Sequence, residues 1–75
     1  MPHYNQETER AFYAALFDVY ETTHLLPLQT TCDGRGGKQD EFNTEADAEI
    51  VAAAFIARGI AIQRHDRFID YSLPQ

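Results

Sequence analysis

The fold is decided by residues 44–73, which read TEADAEIVAAAFIARGIAIQRHDRFIDYSL. Thr44 stands three residues before Asp47, a spacing related to the capping box that begins many helices. A mainly apolar run follows as far as Gly59, and glycine is typical of the left-handed position just after a helix. The pattern predicts a helix that is apolar nearly all round after its first turn, so we expect it to be largely buried.

The rest of this stretch predicts two strands, over residues 60–64 and 67–73, with a tight connection at His65 and Asp66. Side chains in a strand point alternately to its two faces. For the second strand we therefore assign one set to the core, namely Ile69, Tyr71 and Leu73. The opposite face receives Phe68, Asp70 and Ser72.

The first half of the chain predicts a helix and a hairpin. Apolar side chains at three- and four-residue spacing predict a helix over residues 6–21, with Asn5 as its N-cap. Alternation over residues 25–32 predicts a strand, and a glycine-rich turn leads to a short return strand over residues 38–42. The predicted buried face of the first strand carries Leu26, Leu28 and Cys32.

The predicted order is helix, strand, strand, helix, strand, strand, within one domain over residues 1–75. Two helices in such an order pack against a small, mainly antiparallel sheet. We therefore expect an α+β fold.

Composition narrows the possible ligands. Twelve acidic and six basic side chains give a formal net charge of −6. Nucleic acids require a clustered basic face, and anionic membranes attract basic segments, so we expect neither as a direct ligand. The charge favours a partner protein with a basic surface, or serves solubility alone.

The cellular compartment is predicted from three features. A single cysteine, Cys32, excludes an intrachain disulfide and is typical of a reducing compartment. The first residues have neither the basic start nor the apolar run of a signal peptide. The longest strongly apolar stretch, residues 50–57, is too short to cross a bilayer. We therefore expect a soluble, cytoplasmic protein.

No pattern in the sequence predicts a cofactor or a metal site. The glycine-rich turn has Cys32 where a phosphate-binding loop requires glycine, and Gln39 where it requires a hydroxyl residue, so we interpret it as a hairpin tip. The three histidines lie too far apart in sequence to form a zinc pattern. They are His3, His24 and His65.

Acidic side chains crowd around the start of the second predicted helix. Five lie within ten residues: Asp40, Glu41, Glu45, Asp47 and Glu49. No Lys or Arg occurs between Lys38 and Arg58, so we expect a negative field that attracts Arg and Lys clusters of a partner. The alternative is a solvated helix start, since acids stabilise that end of a helix. Arg35 and Lys38 at the hairpin tip are predicted to add specificity.

The chain resembles the small inhibitors encoded by phages, such as anti-CRISPR proteins. The likeness lies in size, acidity, a single cysteine and the lack of a catalytic motif. It implies binding to the basic nucleic-acid channel of a defence complex, which some of these inhibitors achieve by imitating the charge of DNA.

Our leading hypothesis is a non-catalytic protein-binding module that modulates a basic partner. One alternative is a structural homodimer or accessory subunit that pairs through an edge strand or through the apolar face around Phe12 and Phe17. Another is a small enzyme that uses the acids, or Cys32 together with His24 or His65.

Overall fold

The computed structural model describes residues 6–72 of the chain. The elements are α1 (Gln6–Thr23), β1 (Gln29–Cys32), β2 (Gly37–Glu41), α2 (Glu45–Ala57), β3 (Ile62–His65) and β4 (Phe68–Ser72). This order confirms the predicted α+β class. Asn5 and Leu73, predicted as an N-cap and a core residue, lie outside the described residues, as does His3, which was considered as a zinc ligand.

The four strands form one sheet in the order β1-β2-β4-β3. All three neighbouring pairs are antiparallel, so β2 and β4 are central and β1 and β3 are the edges. The connection through α2 carries the chain from β2 to β3, and the tight β3–β4 turn then places β4 between them. The predicted antiparallel sheet is therefore confirmed.

Both helices lie on one face of this sheet. The ring of Tyr71 in β4 is 6.0 Å from that of Phe12 in α1 and 5.5 Å from that of Phe55 in α2. Ile69 and Tyr71 are buried, which confirms their assignment to the core. The other sheet face is not covered by any described helix, because both described helices share the first face.

α2 is less buried than the sequence predicted. Its buried residues are spaced as one stripe of a helix: Ala48, Val51, Ala52 and Phe55. Ile50 and Ile56 are 53% and 63% exposed, although both belong to the apolar run. The reason is the two-layer architecture, in which a helix packs on the sheet and on α1 but keeps its outer side open.

The predicted burial of Leu26, Leu28 and Cys32 is wrong. The strand begins only at Gln29, Leu26 and Leu28 are 73% and 65% exposed, and Cys32 is exposed as well. β1 is an edge strand, and the described side chains of α1 reach β2 and β4. The alternation of apolar and polar side chains predicted a strand here. It could not indicate that the described helices leave this edge strand uncovered.

Two turns depend on left-handed backbone. Gly59 follows α2 with φ of 78°, which confirms its predicted role at the helix end. Asp66 has φ of 55° and starts the β3–β4 turn, which includes Arg67. The tight connection therefore lies one residue later than predicted, because His65 still pairs with Phe68 in the sheet.

The N-cap of α2 gives a first test. The Thr44 hydroxyl accepts a hydrogen bond from the Asp47 N–H over 3.1 Å. Thr44→Ala removes this acceptor and is expected to lower the free energy of unfolding by about 1 kcal/mol. Urea denaturation measures the loss, and Thr44→Ser should retain most of the stability because it keeps the hydroxyl. Equal stability of the alanine variant would contradict the assignment.

Candidate functional site

Asp40 is not part of the acidic surface on which the sequence placed it. Its side chain is fully buried between the sheet and α1. The carboxylate accepts hydrogen bonds from the Thr30 hydroxyl over 2.8 Å, from the Tyr71 hydroxyl over 3.0 Å, and from the Tyr20 hydroxyl. Asp40 therefore links β2 to β1, β4 and α1, and a partner has no access to it.

The register of the sheet explains this burial. Thr30, Asp40 and Ile69 are paired across three strands, so their side chains share the face that the helices cover. Asp40 also stands two residues before Phe42, which is buried. Because side chains two residues apart in a strand share a face, this spacing could have predicted that Asp40 points inward.

The two tyrosine hydroxyls that donate to Asp40 have raised pKa values. Burial raises the pKa of Tyr20, and the hydrogen bond to Asp40 raises it further. Burial likewise raises the pKa of Tyr71, with a further contribution from the charge of Asp40. Among the described residues, every buried side-chain nitrogen and oxygen has a hydrogen-bond partner. The network is therefore complete, as a buried polar cluster must be if it is to stabilise a fold.

The other four acids form a surface that we call the acidic corner: Glu41, Glu45, Asp47 and Glu49. Glu45 and Glu49 are exposed and lie one turn apart at the start of α2. Glu41 ends β2, directly before Phe42. The structure thus brings Glu45 and Glu49 together on α2. Glu41 alternates with the inward-facing Asp40 and so belongs to the open face of the sheet, and Asp47, two residues from each glutamate, does not share their side of the helix.

The acidic corner contains two arginines that the sequence analysis did not place there. Arg64 of β3 lies 3.5 Å from Glu45 and 3.4 Å from Glu49. Arg67 lies 2.9 Å from Glu41, and its backbone carbonyl accepts from the Phe42 N–H. The tight turn at Gly59 could have predicted this position, because a strand that runs back along α2 places its last residues beside the start of the helix.

These arginines reduce the negative field without cancelling it. Three of the four carboxylates pair with two guanidinium groups, so the acidic corner keeps a net negative charge. The pairs are solvent-exposed and contribute little to stability. The acidic corner therefore has the charge to attract a cation, and its ion pairs are weak enough to be exchanged.

The two predicted cationic contacts lie away from the acidic corner. The Asp33 carboxylate accepts from the N–H groups of Arg35 and Gly37 over 2.7 and 2.9 Å, which confirms a hairpin turn here. Lys38 follows this turn, whereas Glu41 ends the same strand about 10 Å away. The structure thus divides the predicted partner-binding residues between two ends of β2.

Lys38 is engaged with Cys32 on the neighbouring strand. Its ammonium group donates to the Cys32 sulfur over 3.1 Å, and this hydrogen bond raises the pKa of Lys38. Cys32 lies on edge strand β1 and His65 on the opposite edge, β3. The fold therefore separates one of the thiol–histidine pairs that the enzyme hypothesis requires.

His65 belongs to a polar network on the open sheet face. Its Nε2 lies 2.9 Å from Asp70, which also accepts from Gln39 over 2.9 Å. The hydrogen bond with His65 lowers the pKa of Asp70, and that with Gln39 lowers it less. Both side chains of this pair are solvent-exposed.

The remaining candidate sites carry little chemistry. Within residues 6–72, no three His, Cys, Asp or Glu side chains are grouped so that they could hold a metal ion. An open depression of about 840 Å³ lies at the glycine-turn end, with Cys32, Lys38 and Ser72 among its lining.

Comparisons with known proteins add no relative. No protein family, curated protein or solved structure matches the chain. None of the helices in the described residues has the length and apolar character needed to cross a membrane.

The Asp40 network predicts a loss of stability when one donor is removed. Tyr20→Phe keeps the ring but leaves the buried carboxylate with two donors, so the free energy of unfolding should fall by about 1.5–3 kcal/mol. Tyr13→Phe, on the same helix, is the matched control: its hydroxyl interacts with Lys38 near the surface rather than with a buried carboxylate, so the change should be less than about 0.5 kcal/mol. Similar values for both variants in urea denaturation would refute the role of Asp40.

The same network predicts instability in alkali. Both tyrosines have a pKa in the folded protein above the usual 10.0, so their contribution is complete below pH 10 and is lost as the pH rises towards the folded values. Above pH 10 the free energy of unfolding should fall by up to about 1.4 kcal/mol per pH unit for each tyrosine. Urea denaturation across this range measures the slope, which should be smaller for Tyr20→Phe. An identical slope in that variant would contradict the prediction.

Proposed function

We propose that the protein is a non-catalytic binding module that engages a basic surface of another protein through the acidic corner. The observation that carries the proposal is the exposure of Glu45 and Glu49, whose side chains are 62% and 59% accessible on one turn of α2. Charges held on a helix are presented at a fixed spacing, which favours recognition over mere solubility.

Arg64 supports this role. Its contacts with the two glutamates are 3.5 and 3.4 Å long, whereas the strongest charge-assisted hydrogen bonds measure about 2.7–2.9 Å. Each carboxylate has capacity for several donors, so one loosely held guanidinium leaves acceptor sites for a partner's Arg or Lys. Arg64 also donates to the Asp66 carbonyl, which holds it beside the acids when no partner is bound.

The partner class follows from charge. Surfaces rich in Arg and Lys are typical of proteins that bind nucleic acids, and an acidic module that occupies such a surface inhibits them by competition. We therefore propose inhibition of a nucleic-acid-binding complex, of the kind that phage inhibitors block in bacterial defence systems. The net charge of −6 supports rapid association with that surface at low salt.

Paired charge variants test the proposal. Glu45→Gln with Glu49→Gln removes two charges from the acidic corner, and Glu9→Gln with Glu21→Gln removes two from α1. Each immobilised protein captures partners from a lysate of the source organism at low and high salt, with identification by mass spectrometry. We expect a basic protein that the wild type and the α1 variant retain at low salt and the corner variant loses.

Equal capture of this protein by both variants would refute the acidic corner as the binding surface. Capture that persists unchanged at high salt would refute an electrostatic mode of binding, because screening weakens exposed charge pairs. Circular dichroism provides the folding control, since the four substituted side chains lie outside the buried core.

A further inference from the structure

The only lysine of the chain lies in contact with its only cysteine. Lys38 is the single lysine among six basic side chains, and Cys32 carries the single thiol. The ammonium group of Lys38 donates to the Cys32 sulfur over 3.1 Å. The other basic side chains are arginines, whose guanidinium groups stay charged, whereas a lysine can lose its proton and act as a nucleophile. The one basic side chain with this capacity is therefore the one beside the thiol.

The register of the β1–β2 hairpin holds the two side chains together. Cys32 and Lys38 are directly opposite each other in the antiparallel pair. The Asp33 N–H donates to the Gly37 carbonyl, so that neighbouring pair is hydrogen-bonded and the Cys32–Lys38 pair is not. Side chains of a non-hydrogen-bonded pair approach each other closely, with Cβ atoms about 4.5–5.5 Å apart. A covalent link between these two side chains thus requires no change of register.

Lys38 is engaged by the sulfur rather than by an acid, although the chain carries twelve acids. Among the described residues, no carboxylate forms a salt bridge with Lys38. Asp33, which follows Cys32, directs its carboxylate to backbone N–H groups of the turn instead. The hydrogen bond to Cys32 is the largest cause of the raised pKa of Lys38, and Tyr13 of α1 contributes from the helix side. The sulfur is therefore the main partner of this ammonium group.

A small oxidant can reach both groups. Cys32 is exposed, and the two side chains line the open depression of about 840 Å³ at the glycine-turn end. The thiolate is the form of cysteine that reacts with peroxides, and Lys38 provides a positive charge at hydrogen-bond distance from it. The pair thus joins an accessible sulfur to a proton donor that becomes a nucleophile once its proton is lost.

We propose that Cys32 and Lys38 form a redox-sensitive pair, which hydrogen peroxide converts into a covalent S–N link between β1 and β2. The Cys32 thiolate attacks one peroxide oxygen and the O–O bond breaks. The leaving hydroxide takes a proton from the Lys38 ammonium group. The products are a sulfenic acid, a molecule of water and a neutral amine, so the sulfur is oxidised by two electrons and the peroxide is reduced.

The neutral amine then attacks the sulfenic sulfur. The S–N bond forms, the S–O bond breaks, and the oxygen leaves as water with the sulfenic proton and one amine proton. This step requires no second oxidant. Sulfenic acids condense with a backbone nitrogen in the same way, and here the lysine nitrogen lies 3.1 Å from the sulfur. A thiol reductant reverses the link by attack on the sulfur.

The link changes the stability and the charge of the hairpin. It joins edge strand β1 to central strand β2 and encloses residues 33–37, which restricts the unfolded chain as a disulfide does. It also removes the positive charge of Lys38. The acidic corner lies at the other end of β2, so this inference goes beyond the proposed function and uses different residues.

Peptide mapping without reductant tests the link. Trypsin cleaves after Arg35, between the two residues, so only a covalent link keeps the peptides that contain Cys32 and Lys38 joined. Wild type treated with hydrogen peroxide should yield the joined pair, at the summed mass of the two peptides less two hydrogens. Dithiothreitol should separate them.

Two variants separate the roles of the two side chains. Lys38→Arg keeps the positive charge but lacks the amine, so peroxide should give no link and should leave a sulfenic acid that dimedone traps. Cys32→Ser should give neither product. Peroxide should raise the midpoint of thermal unfolding of the wild type by several degrees and leave that of Lys38→Arg unchanged, because only the wild type gains a cross-strand link.

Absence of the joined peptides in the wild type would overturn the proposal. Conversion of Cys32 to a sulfinic acid, or to a disulfide between two chains, in place of the link would do the same. In urea the link should form at least about tenfold more slowly, because the fold holds the two groups in contact. An equal rate in the unfolded chain would show that the hairpin does not position them, contrary to the proposal.

Discussion

The carboxylate of Asp40 is the constraint on which the structure depends. Burial of a charged group costs several kcal/mol unless hydrogen bonds compensate it, and here hydroxyls from three other elements provide them. Tyr20 thereby fixes the position of α1 over β2, and Thr30 ties the edge strand to the centre of the sheet. A small core gains from this a single defined arrangement of helix and strands.

The position of α1 in turn determines which surfaces remain open. With α1 held over β2, the outer side of β1 and the neighbouring Phe17 stay exposed, and α2 occupies the other half of the sheet. The return of β3 along α2 then brings Arg64 to the helix start. The proposed contact with a basic partner at the acidic corner follows from this arrangement.

Local patterns in the sequence were sufficient for the order of elements and for much of the core, because helical and strand periods are properties of neighbouring residues. They failed where the answer lies in distant contacts. Leu28 and Cys32 alternate as a buried strand does, yet the edge position leaves them exposed. The run of acids led to the prediction that Asp40 lies on the surface, although its spacing from Phe42 indicated an inward-facing side chain. Arg64 joined the acidic corner only through the path of the chain.

A double-mutant cycle between Tyr20 and Asp40 tests the central claim most directly. The free energy of unfolding is measured for the wild type, Tyr20→Phe, Asp40→Asn and the double variant. If the hydroxyl and the carboxylate stabilise the fold through each other, the double variant should differ from the sum of the two single changes by about 1 kcal/mol or more. Additive changes would show that the two groups act independently and would contradict the account.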